Sequence, residues 1–349
     1  MKVRVYDEIE PIAAAWSELA ERSDGNPWLS PGWIRPWWRA FGRGRLQIVA
    51  LGDLHRLHAL VPLGRRWGGL RSAANWHTPT FGLLADDLDA ARDLAAGVFD
   101  LAPRRISLYF VQEGHSHFGS CRAAARAAGY LTTSRVLERS PYVTTSGDAK
   151  TYEDSLNRKM RSEIRRRRRK LEESGEVVMT VHDGTERLGP LLEEGLRVEA
   201  AGWKGSKGSA IASRPETLRF YTEVARWAAS NGTLRLGFLR CGGRTIAFDF
   251  AVETDGVHYL LKTGFDPGYQ QFGPGMLIRK EMLDRAFASD VHTYDFLGRD
   301  DAWKMQWARH THERLLFQAF RPGAFGAVDG AAYRYGRPAV KRALSLAKR

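Results

Sequence analysis

Between His258 and Leu283 the chain reads HYLLKTGFDPGYQQFGPGMLIRKEML. An apolar strand ends at Lys262-Thr263-Gly264, a loop rich in Gly and Pro follows, and a helix of apolar period starts at Pro274 or Gly275. Within the loop, Gln270-Gln271-Phe272-Gly273-Pro274-Gly275 has the spacing Q-x-x-G-x-G. Glycines let backbone N–H groups approach a ligand closely. The unpaired N–H groups and the dipole at a helix start favour an anion, and Pro274 loses nothing in a first turn. A pyrophosphate suits such a loop, and an ordinary capped helix fits the same pattern. A Walker loop is excluded because no Lys-Ser/Thr follows Gly275. A dinucleotide fingerprint is excluded by the glycine spacing and because this strand does not open a βαβ unit.

The strand before the loop, 257–263, is the third of three. Strands 233–240 and 244–253 precede it, joined by the hairpin signal Cys241-Gly242-Gly243. Strand 292–296, helix 302–308 and strand 312–320 follow. Upstream, the pattern predicts one long helix over 151–173 ended by Gly175, strand 177–182, and helices 185–201 and 215–230. The first half is also mixed, with helices over 8–22 and from Pro31 to Phe41, strands Leu46–Leu51 and Leu57–Val61, helices 88–98 and 119–127, and a strand Arg105–Phe110. The small, polar stretch at 145–150 marks a boundary. The predicted class is α/β (α+β), with two units at 1–145 and 150–325 and a basic helix or tail at 326–349. Each unit carries a mixed, largely antiparallel sheet flanked by helices.

A length of 349 residues agrees with two domains, and 43% hydrophobic residues suffices for real cores. The two cysteines, Cys121 and Cys241, form no framework and point to a reducing compartment. The acidic N-terminus lacks the apolar core of a signal peptide, and no apolar run is long enough to span a bilayer. A cytoplasmic protein, peripheral at the inner membrane face, is expected. The net charge of +13 is concentrated in RKMRSEIRRRRRK at 158–170, where nine of thirteen residues are Lys or Arg. No helix-turn-helix, zinc-finger or RNA-recognition signature accompanies it, so specific DNA binding is not expected. Histidine spacing fits no metal site.

The donor-type loop is similar to the acyl-CoA pyrophosphate loop of GNAT acyltransferases. WSELAERSDGNPWLSPGWIRPWW, NRKMRSEIRRRRRKLEESGEV, GWKGSKGSAI, LKTGFDPGYQQFGPG and TYDFLGRDDAWKMQWA, in that order, resemble the CelD-like branch of the superfamily, related to the Fem-type peptidyltransferases. The similarity covers residues 10–320. It implies a tandem of two GNAT-like domains with the donor loop in the second. The first half has no Q-x-x-G-x-G equivalent and is expected to shape the acceptor cleft.

The resemblance implies an N-acyltransferase that moves an acyl group from acyl-CoA to an amine-bearing small molecule, sugar or lipid by direct transfer. No permanently bound cofactor is expected. The alternatives are a Fem-type peptidyltransferase that uses aminoacyl-tRNA and a non-catalytic accessory protein of polysaccharide biosynthesis. Gln270, Gln271, Gly273, Gly275 and Met276 are the expected donor-binding residues. Asp295, at a strand's carboxyl end, is a candidate base or amine-positioning group, and capping of the following turn is its other reading. Lys304, by resemblance to the Fem-type arrangement, is a candidate for oxyanion or phosphate contact, or a surface partner of Asp300 or Asp301. Asp266 and Tyr269 precede the donor loop, Asp266 either as a turn former or facing the amine. Glu199, Trp203 and Lys204 cluster at a helix end as candidate acceptor walls. On the basic helix, Arg161, Arg165 and Arg168 fall near one stripe, suited to the 3′-phosphate of CoA, an anionic lipid head group or an acidic glycan, with a solvated face as the other reading. Locally only Glu163, Glu172 and Glu173 offset the run, so an anionic membrane surface is its expected partner.

Overall fold

The computed structural model describes residues 2–23, 26–114, 117–202 and 210–323. The chain divides into two compact units, the first containing Met1–Glu138 and the chain from Glu313 on, the second Arg139–His312.

In the first unit, β1 (Val3–Tyr6) is followed by α1 (Ala13–Arg22) and α2 (Pro31–Phe41). Then come β2 (Arg45–Gly52), β3 (Leu57–Arg66), β4 (Gly69–Ser72), the short β5 (Leu84–Ala85), α3 (Leu88–Asp100), β6 (Arg105–Gln112) and α4 (Phe118–Ala127). Trp16, Trp28 and Trp33 are fully buried beneath α1 and α2, and Trp28 meets Trp33 edge-on at 4.6 Å. These three tryptophans thus anchor this core.

β7 (Leu131–Thr144) leads into the second unit. There α5 (Ala149–Ser155), α6 (Arg158–Glu172), β8 (Val177–His182), α7 (Leu188–Ala201) and α8 (Pro215–Ser230) precede the antiparallel strands β9 (Leu234–Cys241), β10 (Arg244–Thr254) and β11 (Val257–Phe265). The unit continues with α9 (Pro274–Phe287), β12 (Thr293–Asp295) and α10 (Ala302–Met305). β13 (His310–Phe320) ends the described chain.

The pairing patterns of the two units match. In the first, β1, β2, β3 and β4 pair antiparallel in turn, β4 pairs parallel with β6, and β6 pairs antiparallel with β13. In the second, β8, β9, β10 and β11 pair antiparallel in turn, β11 pairs parallel with β12, and β12 pairs antiparallel with β7. The protein is a tandem of GNAT-like α/β units, as the sequence led us to expect. The chain path differs from the expectation in one respect. The closing strand pairs through Arg314–Phe320 with β6 and so completes the first sheet; the second unit receives its last strand from β7, through Tyr142–Thr144.

The long helix expected over 151–173 is two helices. Leu156 is extended, and the Asn157 side chain accepts from Lys159 N–H at 2.8 Å, capping a fresh start for α6.

Candidate functional site

The second unit places its loop by packing α7 and α9 against β10 and β11. Gly264 in β11 makes the first contact possible, because any Cβ there would collide with the Glu199 backbone of α7. β11 also carries a bulge. Leu260 faces Ala251 and Lys262 faces Phe250, so Leu261 has no opposite residue. β12 pairs with β11 only through Val257–Tyr259 and ends at Asp295, while β11 runs on to Phe265. Beyond Tyr259 β11 runs on after β12 has ended, and the bulge lies at the start of that free stretch.

Past β11, Asp266 turns the chain. Its Oδ1 accepts from Gly268 N–H at 2.9 Å and its Oδ2 pairs with Arg244 at 2.6 Å, so the carboxylate has the turn-forming geometry. A 3₁₀ turn over Pro267–Phe272 exposes Gln270 and Gln271 and leaves Tyr269 half-buried, with Arg244 over its ring. Gly273 is left-handed, with φ 62°, and starts α9. No side chain caps this helix and no acidic residue stands in its first turn. Gly275 approaches Phe265, and Met276 N–H donates to Gly273 O at 2.9 Å.

The Arg167 guanidinium of α6 lies against Gly273, where a Cβ would collide with it, and Glu163 holds it from the other side at 2.6 Å. The arginine at the donor loop is therefore Arg167, which lies off the expected stripe. Arg161, Arg165 and Arg168 do line one cleft of about 430 Å³ together with Arg169, Glu281 and Asp284. Its charge is mixed. Arg161 pairs with Asp154 at 2.6 Å, and Arg168 pairs with Glu172 and Glu281. The basic run thus has intramolecular acids beyond the local ones. The basic tail lies outside the described residues.

At the end of β12, Asp295 is 2% exposed. Its Oδ1 accepts from Ser140 Oγ at 3.0 Å and from Leu297 N–H at 2.8 Å, which caps the following turn. Its Oδ2 faces His312 Nε2 at 4.0 Å, and the His312 ring stacks on Tyr142 at 4.1 Å. Lys304 points its ammonium at Leu297 O (2.7 Å), Arg299 O (2.9 Å) and Asp301 (3.3 Å). It clamps the loop after β12, so contact with a reacting carbonyl would require exchanging one of these bonds.

The match to known proteins falls on this segment. Residues 158–305 match the acetyltransferase (GNAT) domain model. This stretch is a GNAT domain. The fold has close parallels over both units. The C-terminal domain of a putative lysylphosphatidylglycerol synthetase from Agrobacterium fabrum superposes with a TM-score of 0.58 at 11% identity, covering 92% of this chain and 95% of that one. FemX gives 0.56 at 10% identity, covering 91% and 97%. L-PGS from Bacillus licheniformis gives 0.56 at 11%, covering 91% and 93%. No curated protein matches in sequence.

Two buried charge networks brace the GNAT domain, and neither was legible in the sequence. Arg279 of α9 is 1% exposed and pairs through both nitrogens with the buried Asp249 of β10 at 2.8 and 3.0 Å. It also bonds Tyr294 Oη, and Thr263 at 3.3 Å. This ties the donor helix to three strands. Nearby, Glu253 accepts from His258 at 3.1 Å and pairs with Arg285 at 2.7 Å. Burial raises the Glu253 carboxyl, but these hydrogen bonds outweigh it and hold the group well below the usual range. Burial pushes His258 down against the pull of Glu253.

Glu199 is buried at the end of α7 and accepts from Ile211 N–H at 2.9 Å. Tyr221, beside it, is raised well above its ordinary value, mainly by burial and then by the Glu199 charge. The other two expected acceptor residues, Trp203 and Lys204, lie outside the described residues. Among the described residues no cluster of His, Cys, Asp and Glu could hold a metal ion. No described helix is long and apolar enough to cross a membrane.

The matching helix of the first unit is built differently. α3 is capped by the Asp87 side chain, which accepts from Ala90 N–H at 2.8 Å, and Asp89 stands in its first turn. Two carboxylates occupy the place where a phosphate would bind.

Proposed function

We propose that this protein moves an acyl group from acyl-CoA directly onto an amine, with the donor at the start of α9 and the chemistry at the open end of β12. The observation that carries the reading is the pairing of an uncapped, acid-free helix start after left-handed Gly273 with the run of β11 beyond the end of β12. The pyrophosphate would lie at the start of α9, on the Gly275 N–H and the positive end of the helix dipole, beneath Arg167, with Gln270 and Gln271 at its exposed rim. The thioester arm would enter along the free stretch of β11. Backbone N–H at the bulge near Leu261 is suited to the carbonyl oxygen as negative charge develops there.

An ammonium must lose its proton before it attacks. His312, beside Tyr142 and the Asp295 carboxylate, would accept it, Asp295 would steady the imidazolium formed, and the proton would pass to the CoA thiolate as the C–S bond breaks. Lys304 would hold the loop that presents Asp295. The acceptor would approach from the Glu199 side, with Tyr269 and Asp266 at the donor mouth. Direct transfer is favoured because both cysteines are buried and burial pushes the Cys121 thiol up to about 12.

The fold shared with FemX and lysylphosphatidylglycerol synthetase favours a second reading, in which the donor is an aminoacyl-tRNA. Thermal-shift titration with CoA, acyl-CoAs of increasing chain length and aminoacyl-tRNA separates the two. CoA compounds should raise the melting temperature by mass action, and tRNA should not. Stabilisation by aminoacyl-tRNA alone would exclude the acyl-CoA reading.

A further inference from the structure

We propose that the first unit docks on an anionic lipid bilayer through the end of its sheet that carries Trp67. One end of this sheet is a row of exposed arginines. Arg45 at the start of β2 lies opposite Arg65 at the end of β3. β3 runs on to Arg66, turns at Trp67-Gly68, and returns with Gly69 opposite Arg66. Gly69 pairs with Arg105 at the start of β6, and Arg105 pairs with Phe320 at the end of β13. Arg321 N–H then donates to Arg104 O, and Arg104 N–H to Gly68 O, so the row closes back onto the Trp67 turn. Asp7 neutralises Arg45 at 2.6 Å. Among the described residues Arg65, Arg66, Arg105 and Arg321 have no carboxylate partner.

One exposed indole stands at this end, and a second lies on the loop after β4. Trp67 is 82% exposed at the hairpin tip, with the Arg66 guanidinium 3.9 Å from its ring centroid. Trp76 is 77% exposed. Its loop is pinned where His77 stacks on Phe41 at 5.0 Å and Asn75 accepts from Trp37 Nε1 at 3.1 Å. Phe41 is two residues before Arg43, whose carbonyl lies beside Gly64 next to Arg65. The second exposed indole thus sits on the loop after β4, beside the end of α2 that leads into β2.

An indole in water contributes nothing to the core, but it is at home in the headgroup region of a bilayer. Guanidinium groups around it match anionic headgroups, and their long stems let the charge stay in the polar layer while the ring enters. A nucleic acid would be met by a basic groove tracking phosphates; a row of strand ends with an exposed Trp at its hairpin turn suits a planar interface. The basic helix α6 differs, since Arg161, Arg166, Arg167 and Arg168 already have acids of their own. The proposal is independent of the acyl-transfer reading.

The test is co-sedimentation of the full chain with phosphatidylglycerol and phosphatidylcholine vesicles. Wild type should bind the first and not the second, and high salt should release it. The triple variant Arg66→Gln, Arg105→Gln, Arg321→Gln should bind about a hundredfold more weakly, with an unchanged melting temperature. Trp67→Ser, which leaves every arginine in place, should also weaken binding. Lipids brominated near the headgroup should quench wild-type fluorescence and quench Trp67→Phe, Trp76→Phe less. Replacing Arg165 and Arg169 on α6 by Gln should leave binding within about twofold. Undiminished binding by the folded triple variant would overturn the proposal, as would loss on the α6 change instead. Binding to duplex RNA as tight as to vesicles, displacing them, would assign the patch to nucleic acid.

Discussion

Gly273→Asp tests the donor loop by giving the second unit the chemistry of the first, where Asp87 caps the corresponding helix. The backbone at Gly273 is left-handed, with φ 62°. Asp tolerates this conformation better than most residues, at a cost of about 1–2 kcal/mol. Its Cβ would meet the flexible end of Arg167, which can move aside. The new carboxylate would stand about 5 Å from a pyrophosphate on the α9 N-terminus. At an effective dielectric constant of about 20, two like unit charges at that distance repel by about 3 kcal/mol. That is a loss of about a hundredfold in donor affinity. With CoA at a hundred times its dissociation constant, wild type gains about 2.7 kcal/mol, or roughly 5–10 °C in melting temperature for a unit of this size. The variant should melt a few degrees lower without ligand and show almost no shift with CoA. A folded Gly273→Asp protein with the full wild-type CoA shift would refute the donor site.

Asp295→Asn and His312→Gln should each lower turnover by about 10²–10⁴-fold, with little change in the KM for acyl-CoA. The Asp295→Asn loss should shrink at high pH, where the amine is already deprotonated, and a wild-type rate from either folded variant would remove that residue from the chemistry. Asp249→Asn leaves the Arg279 guanidinium buried without its counter-charge and should cost about 3–5 kcal/mol by urea unfolding; adding Arg279→Met should recover part of it, and a harmless single change would show the pair to be dispensable. The depressed folded-state pKa of Glu253 contributes stability that is fully present above its ordinary value of 4.5 and is lost as pH falls toward the folded value. Glu253→Gln should therefore flatten the acid side of the stability–pH curve, and an unchanged slope below pH 4.5 would rule the network out as its source.

The donor segment was legible because it is local: strand, glycines and helix start follow one another within twenty-six residues, and each has its own composition signal. The repeated sheet was legible as element order. The destination of the last strand was not, because nothing in an apolar run names its partner; only the pairing of Arg314–Phe320 with β6 decides it. The bulge in β11 was hidden for the same reason, since VHYLLKTGF shows no break at Leu261. Long-range charge partners were likewise invisible. Arg279 meets Asp249 thirty residues away, and Arg168 meets Glu281. Asn157 is a missed signal of another kind. An Asn before a polar run is a cap, and it divides the helix expected over 151–173 as the structure does. His312 could have been marked from the His310-Thr311-His312 alternation at the start of the final strand, but its facing Asp295 could not.

Amine-dependent release of free CoA thiol from acyl-CoA tests the central claim most directly. The protein's own background is low, because Cys121 and Cys241 are both buried. A panel of short- and long-chain acyl-CoAs is incubated with amino sugars, amino acids, polyamines and long-chain amines, and thiol is followed against time. At least one pair should release thiol in proportion to N-acyl product, with the rate abolished by Gly273→Asp and reduced by Asp295→Asn. Product formed only from aminoacyl-tRNA, with every acyl-CoA left intact, would contradict it.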